Sequence, residues 1–180
     1  RKYLPFIIGG SAVLLLLIVG IVINATTPYG FFALKLMFPA KVKADTREFG
    51  YLEEARASIL KDTYKSYKDA QASTEQALAV KEYPEARALW NQAVYYLARR
   101  YHQPGNVAQA VEATESIKLL GQKHVEVLKA LAGQALNEKR ADDALQFISE
   151  ALAREDNQND LELTFLRAEA YLQKNQTPQA

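Results

Sequence analysis

Cysteine is absent from this 180-residue chain, and histidine occurs only twice, as His102 and His124. Without cysteine the sequence offers no disulfide, no thiol nucleophile and no cysteine-ligated metal centre. Two histidines leave little for a histidine-based metal site. The 22 basic and 21 acidic residues give a net charge of +1, so the excess of positive charge typical of nucleic-acid-binding proteins is missing too. We therefore predict no bound metal and no nucleic-acid partner.

Groups arranged for catalysis are also missing. Glu53 and Glu54, like Asp142 and Asp143, are adjacent in sequence, so on a helix their side chains point about 100° apart instead of converging. Gly105 stands alone, without a phosphate-binding glycine-rich loop around it. We therefore predict that the protein is not an enzyme and uses no cofactor and no small-molecule substrate.

Charged residues do not occur between positions 3 and 34, and the core of that run, residues 4–26, is rich in leucine, isoleucine and valine. At ~1.5 Å per residue, a helix of this length crosses the ~30 Å hydrocarbon core of a bilayer. A signal peptide would have a shorter apolar region, and a core helix apolar on every side would need a much larger domain to bury it. We therefore predict one transmembrane helix in residues 1–27.

Residues 28–44 follow as a separate segment that is apolar and aromatic but too short to cross the membrane again. Tyr29, Phe31 and Phe32 are expected in the membrane interface, with Lys35 reaching toward lipid headgroups. The alternative is that this segment docks on another membrane subunit.

The orientation in the membrane depends on the charges beside the apolar run. Arg1 and Lys2 directly before it favour a cytoplasmic N-terminus, whereas Lys35, Lys41 and Lys43 on the other side oppose that orientation. We expect a bacterial inner-membrane protein whose larger part lies in the periplasm, with the reverse orientation as the alternative.

Residues 45–90 have the pattern of a long amphipathic helix, or of two helices in series. Asp45 with Glu48 three positions later resembles a capping box at its start. The segment is expected either to separate the remainder from the membrane or to fold back as a cap. Pro84 then predicts a new, lengthened helix that runs to about His102.

One pattern recurs three times in the second half of the chain: a small residue, a residue three positions on that is larger in two of the sets, a turn and a second small residue. Small residues let helices approach closely, and each set spans a turn, so each unit is predicted to be a helix-turn-helix. One such hairpin cannot bury its own apolar face, so consecutive units must stack. The sets, spaced 34 and 36 residues apart, are Ala98, Tyr101 and Ala110; Ala132, Ala135 and Ala144; and Ala168, Tyr171 and Ala180.

This pattern resembles the tetratricopeptide repeat family, whose unit is a 34-residue helix pair. Three units fit residues 91–124, 125–158 and 161–180, the last one incomplete, and the chain departs from the family by a two-residue lengthening around residues 156–160. The resemblance implies an all-α fold in which a single N-terminal transmembrane helix is followed by an α-solenoid of helix-turn-helix repeats. Besides the small residues, the matching positions are Val94, Leu97, Gly105 and Val107 in the first unit and Leu128, Leu131, Ala151 and Leu152 in the second.

Family members bind extended segments or helices of partner proteins in a groove lined by the first helices of the units. By register, we predict a partner-binding groove with Tyr95, Arg99 and Phe165 as anchors, because aromatic residues and arginine dominate binding energy. The alternative for Tyr95 is packing on the upstream helix. The groove positions are Gln92, Tyr95, Arg99 and His102 in the first unit, Glu126, Lys129, Gly133 and Leu136 in the second, and Glu162, Phe165, Glu169 and Leu172 in the third.

Together these features predict a membrane-anchored scaffold that binds proteins within a membrane or cell-envelope complex, such as secretion, pilus, motility or quality-control machinery. Lipid and other transmembrane subunits are further expected partners. Because the sequence lacks an initial methionine and ends within a repeat, we take it as part of a longer chain. The alternative is therefore a regulatory or anchoring portion of an enzyme whose catalytic domain lies elsewhere.

Overall fold

The computed structural model describes residues 14–15, 19–20, 41–119, 124–154 and 159–176. The chain divides into two units, Arg1–Pro39 and Ala40–Ala180. The transmembrane helix predicted in residues 1–27 and the interfacial segment 28–44 lie almost wholly outside the described residues. In the part of the chain that is described, no helix has both the length and the apolar character needed to cross a bilayer.

The second unit is built from α-helices, and its described residues include no strand, which confirms the predicted all-α class. The helix α5 begins where the second repeat was predicted to begin, and α7 begins where the third was. The seven helices are α1 Arg47–Ile59, α2 Tyr64–Val80, α3 Pro84–Tyr101, α4 Pro104–Leu119, α5 Val125–Asn137, α6 Ala141–Leu152 and α7 Leu161–Gln176.

Two helices, α1 and α2, fill most of the segment in which the sequence predicted one long helix or two in series. The N-cap of α1 is Thr46, whose hydroxyl accepts from the backbone N–H of Phe49, so the capping role predicted for Asp45 is wrong. Between the two helices Asp62 adopts a left-handed backbone conformation with φ of 50°. Thr63 and Ser66 then form a capping box at the start of α2. This turn lets α1 and α2 pack against each other.

The helix α3 runs without a break from Pro84, as predicted, and ends at Tyr101, one residue before the predicted end. His102 stops it in a left-handed conformation, with φ of 53°, which is a common way to end a helix. The next helix, α4, begins only two residues later, at Pro104.

The helices are arranged in two sets. The odd-numbered helices contact one another in order: α1 with α3, α3 with α5, and α5 with α7. Each even-numbered helix lies against the two odd-numbered helices that flank it in sequence. The largest apolar cluster contains residues of every helix except α4, among them Leu52 of α1, Leu97 of α3 and Leu166 of α7.

The recurring small residues divide between the core and the surface. Five of them are buried: Ala98, Ala110, Ala132, Ala135 and Ala144. In the third set Ala168 is exposed and Tyr171 is 53% exposed, while Ala180 lies outside the described residues. The contacts of α7 with α5 and α6 are made through its other face, which carries Leu163, Leu166 and Ala170.

Matched positions in two of the predicted repeats provide a test of this packing. We expect Ala132→Leu to lower the free energy of unfolding by about 1–3 kcal/mol, because Ala132 is fully buried in the apolar cluster and extra atoms in a packed core cause strain. Ala168→Leu places the same residue at the corresponding exposed position and should change it by less than about 0.5 kcal/mol. Urea denaturation of the full chain measures both. Equal effects of the two substitutions would contradict the assignment of Ala132 to the core.

Candidate functional site

Several of the side chains predicted by register to line a groove bind each other. The Gln92 amide donates to the Glu126 carboxylate at 3.0 Å. The Arg99 guanidinium lies 2.7 Å from the Glu169 carboxylate. The register therefore placed side chains of α3, α5 and α7 on one common surface, and that surface is partly filled by its own contacts.

Tyr95 does not lie on this surface. Its side chain is 1% exposed, its hydroxyl lies 3.2 Å from that of Thr114 in α4, and burial raises its pKa. A Cβ atom added to Gly133 would be 3.6 Å from the Cβ of Tyr95, an ordinary contact distance. Tyr95 therefore packs between α4 and α5, and it is not available as an anchor in this structure.

Three of the predicted groove residues are exposed, namely His102, Phe165 and Leu172. His102 lies in the connection between α3 and α4. Phe165 is 42% exposed on α7, and the Arg100 guanidinium lies 4.9 Å from the centre of its ring. Of the predicted anchors, only Phe165 combines an exposed ring with a place on the common surface.

A bridge of polar contacts connects α3 directly to α7. Arg99 and Arg100 both pair with Glu169, at 2.7 and 3.2 Å. The Tyr96 hydroxyl donates to Glu162 at 3.4 Å. Side chains of α3 and α7 therefore meet directly, although α5 lies between the two helices in chain order.

A double-mutant cycle tests this bridge. We expect Arg99→Ala and Glu169→Ala to show a coupling energy of about 1 kcal/mol or more, because the pair is largely shielded from water. The exposed pair Lys174 and Asp142, whose charged atoms are 2.6 Å apart, is the control and should couple by less than about 0.5 kcal/mol. Urea denaturation of the full chain gives both values. A coupling for the bridge no larger than that of the control would refute it.

Two cations with several carboxylates form a cluster beside the bridge. Arg56 of α1 pairs with Glu53, with Glu85 of α3 and, at 3.0 Å, with Glu126 of α5. Burial alone would lower the pKa of Arg56, but the surrounding carboxylates, led by Glu126, outweigh it and raise that pKa. One arginine therefore connects three odd-numbered helices.

Lys129 of α5 is the buried centre of the same cluster. Its ammonium lies 2.7 Å from Asp160, 3.1 Å from Glu162 and 3.8 Å from Glu126, and the residue is 5% exposed. Lys129 was predicted to face a partner, and here its charge is taken up by carboxylates of the same chain. Burial opposes the charged form, and the three carboxylates reverse that effect and raise the pKa of Lys129.

The single positive charge of Lys129 cannot neutralise the three carboxylates around it. Burial raises the pKa of Glu162 to about 7, although Lys129 acts in the opposite direction, and the charge of Glu126 adds to the rise. Burial therefore favours the neutral form of Glu162, and Glu126 and Asp160 remain to balance Lys129.

The ionisation of Glu162 predicts a pH dependence of stability. A carboxyl whose pKa is higher in the folded than in the unfolded state stabilises the fold at low pH, and that contribution is lost as the pH rises from about 4.5 to about 7. Glu162→Gln imitates the neutral form. The melting temperature of the variant, measured relative to that of the unmodified chain, should therefore increase between pH 5 and pH 8.

The matched control for this experiment is Glu112→Gln, at an exposed position of α4. Its melting temperature relative to the unmodified chain should not change with pH over the same range. If Glu162→Gln behaves like this control, Glu162 is ionised in the folded protein throughout the range.

A cleft remains open beside these contacts, and we call it the α1–α7 cleft. At one end is an apolar cavity of about 330 Å³, and at the other a charged cavity of about 400 Å³. A third cavity, of about 230 Å³, is lined by residues of both. The apolar cavity is lined by Ile59, Leu60, Asp62, Tyr67, Tyr96, Leu161, Glu162 and Phe165. The charged cavity is lined by Glu53, Arg56, Glu85, His124, Val125, Glu126, Lys129 and Asp160.

Sequence reasoning missed the contribution of the first helix pair to this cleft. Arg56, Ile59 and Leu60 belong to the segment that was assigned to a cap, although the apolar periodicity there already included Ile59 and Tyr67. The pattern of two amphipathic helices in series, like that of the later helix pairs, was the signal that could have identified this contribution. No protein-family model, no curated protein and no solved structure matches this chain. Among the described residues, no group of three histidine, aspartate or glutamate side chains is placed to hold a metal ion.

Proposed function

We propose that this chain is a membrane-anchored scaffold whose helices form a solenoid of the tetratricopeptide repeat type and bind protein partners through the α1–α7 cleft. The observation that carries the proposal is the alternation of the helices. Odd-numbered helices contact one another in series, and each even-numbered helix lies against its two neighbours in sequence. Stacked helix pairs bury their apolar faces in this way.

The alternation extends the proposed solenoid beyond the repeats found in the sequence. The helices α1 and α2 pack against each other and against α3, just as α3 and α4 pack against each other and against α5. The proposed repeats are therefore α1–α2, α3–α4 and α5–α6, followed by α7 as the first helix of a further unit. The cleft belongs to the inner surface that such a series of first helices makes.

The membrane anchor of the proposal rests on the amino-acid sequence. Residues 3–34 carry no charge, and a run of this length suits a helix that crosses a bilayer. With a cytoplasmic N-terminus, the helices of the second unit would bind their partners in the periplasm, within an envelope complex. Other transmembrane subunits and lipid would then contact the anchor.

Site-specific photo-crosslinking in native membranes tests both parts. The full chain should stay in membranes washed with sodium carbonate, since this treatment removes peripheral proteins. A photo-reactive phenylalanine analogue at Phe165 should crosslink a partner, whereas the same analogue at exposed Gln146 of α6 should not. Loss of the chain in the wash would overturn the anchor. Equal crosslinking at the two positions, or none at either, would overturn the role of the cleft.

A further inference from the structure

The apolar end of the α1–α7 cleft has a buried aromatic floor and an exposed apolar rim. The rings of Tyr67 and Tyr96 stack with their centres 5.0 Å apart, and both residues are buried. At the rim, Leu60 and Leu161 are 55% and 73% exposed, next to the half-exposed ring of Phe165. Exposed apolar groups concentrated around one concave site are typical of binding surfaces.

The size of this cavity suits one large apolar side chain. An apolar cavity of about 150 Å³ holds a benzene molecule, and this one has about 330 Å³. A phenylalanine or leucine side chain therefore fits with room for part of the backbone that carries it. Several large side chains, as on the face of a helix, would not enter together.

The other end of the cleft has more carboxylates than cations. Glu53, Glu85, Glu126 and Asp160 line the charged cavity with only Arg56 and Lys129 to balance them, which leaves two negative charges in excess. An acidic segment would be repelled there, whereas a lysine or arginine would complete the pairing.

Gln92 indicates the same shortage of donors. Its Nε2 donates to Glu126, whereas its Oε1 is buried and has no hydrogen-bond partner. A buried acceptor without a partner is unfavourable. This unpaired acceptor lies beside the carboxylate cluster, although Gln92 itself lines none of the three cavities.

The two ends are close enough to be filled by one short segment. The third cavity is lined by Leu60 and Leu161 of the apolar end and by Arg56, Lys129 and Asp160 of the charged end. In an extended chain, side chains two positions apart lie on the same side and are separated by roughly 7 Å. A single extended segment can therefore place an apolar group in one cavity and a cationic group in the next.

We propose that the α1–α7 cleft binds an extended segment of a protein partner that carries a large apolar side chain and, about two positions away, a lysine or arginine. This inference rests on the proposed function and adds the chemistry of the partner. The apolar side chain enters over the Tyr67 and Tyr96 rings, and the cation pairs with the excess carboxylates around Arg56 and Lys129.

Fluorescence anisotropy with defined peptides tests the inference on the full chain in detergent. The probe is a labelled nonapeptide of glycine and serine with one phenylalanine and, two positions later, one lysine. We expect it to bind about tenfold more tightly than the same peptide with glutamate for lysine, or with serine for phenylalanine. Raising the salt concentration should weaken the lysine peptide most, because exposed charge pairs are screened.

Substitutions at exposed positions of the cleft assign the two cavities. Glu53→Lys should weaken the lysine peptide about tenfold, whereas Glu150→Lys, which also removes the carboxylate partner of a nearby arginine, should not. Leu161→Ser should weaken every peptide that contains phenylalanine. Val80→Ser, at an exposed site of α2 outside the three cavities, should have no effect.

The outcomes separate this inference from the proposed function. Equal binding of the lysine and glutamate peptides, or no binding of either, would overturn the inference, and crosslinking of a partner at Phe165 would then leave the scaffold function standing. Preferential binding of the lysine peptide without any crosslink in membranes would instead support the cleft chemistry and overturn the scaffold function.

Discussion

The buried ammonium group of Lys129 is the constraint on which the inner side of this structure depends. A charge removed from water is tolerated only where opposite charges surround it closely. Here those charges come from Glu126 of its own helix and from Asp160 at the start of α7, and the Glu162 carboxyl group lies 3.1 Å from the ammonium. Glu126 also binds Arg56 of α1. These ion pairs thus fix the positions of three segments relative to one another: the end of α1, the start of α5 and the start of α7.

The same contacts leave a cleft with two ends and not a continuous groove. Arg99 and Glu169, which were predicted to line a groove, instead connect α3 with α7. What stays open is the region where α1 ends and α7 begins, around Leu60 and Leu161. The partner segment that we propose would meet Arg56 and Lys129 there, and the ion pairs of these two cations already determine their positions, so little ordering of them would be needed on binding.

Short-range patterns in the sequence predicted much of the helical packing. The recurrence of small residues predicted helix contacts at Ala98, Ala132 and Ala144, and these residues are buried. Such contacts are predictable because a small residue at a helix contact recurs with the same period in any helix pair. The start of α3 at Pro84 was also predictable, since proline is suited to a first helical turn. The break between α1 and α2 was not, because neither glycine nor proline marks it. Instead Asp62 adopts the left-handed conformation that such a turn requires.

The candidate site depended on information that no local pattern contains. Register placed Gln92, Arg99 and Glu169 on a common surface, but whether side chains there contact a partner or each other depends on how strongly the stacked helices curve. The charge of the site is a second property that no local pattern predicts. The chain as a whole is nearly neutral, so its composition does not indicate an acidic site. The excess of carboxylates arises only because Glu53, Glu85 and Asp160, far apart in sequence, meet around two cations in the folded chain.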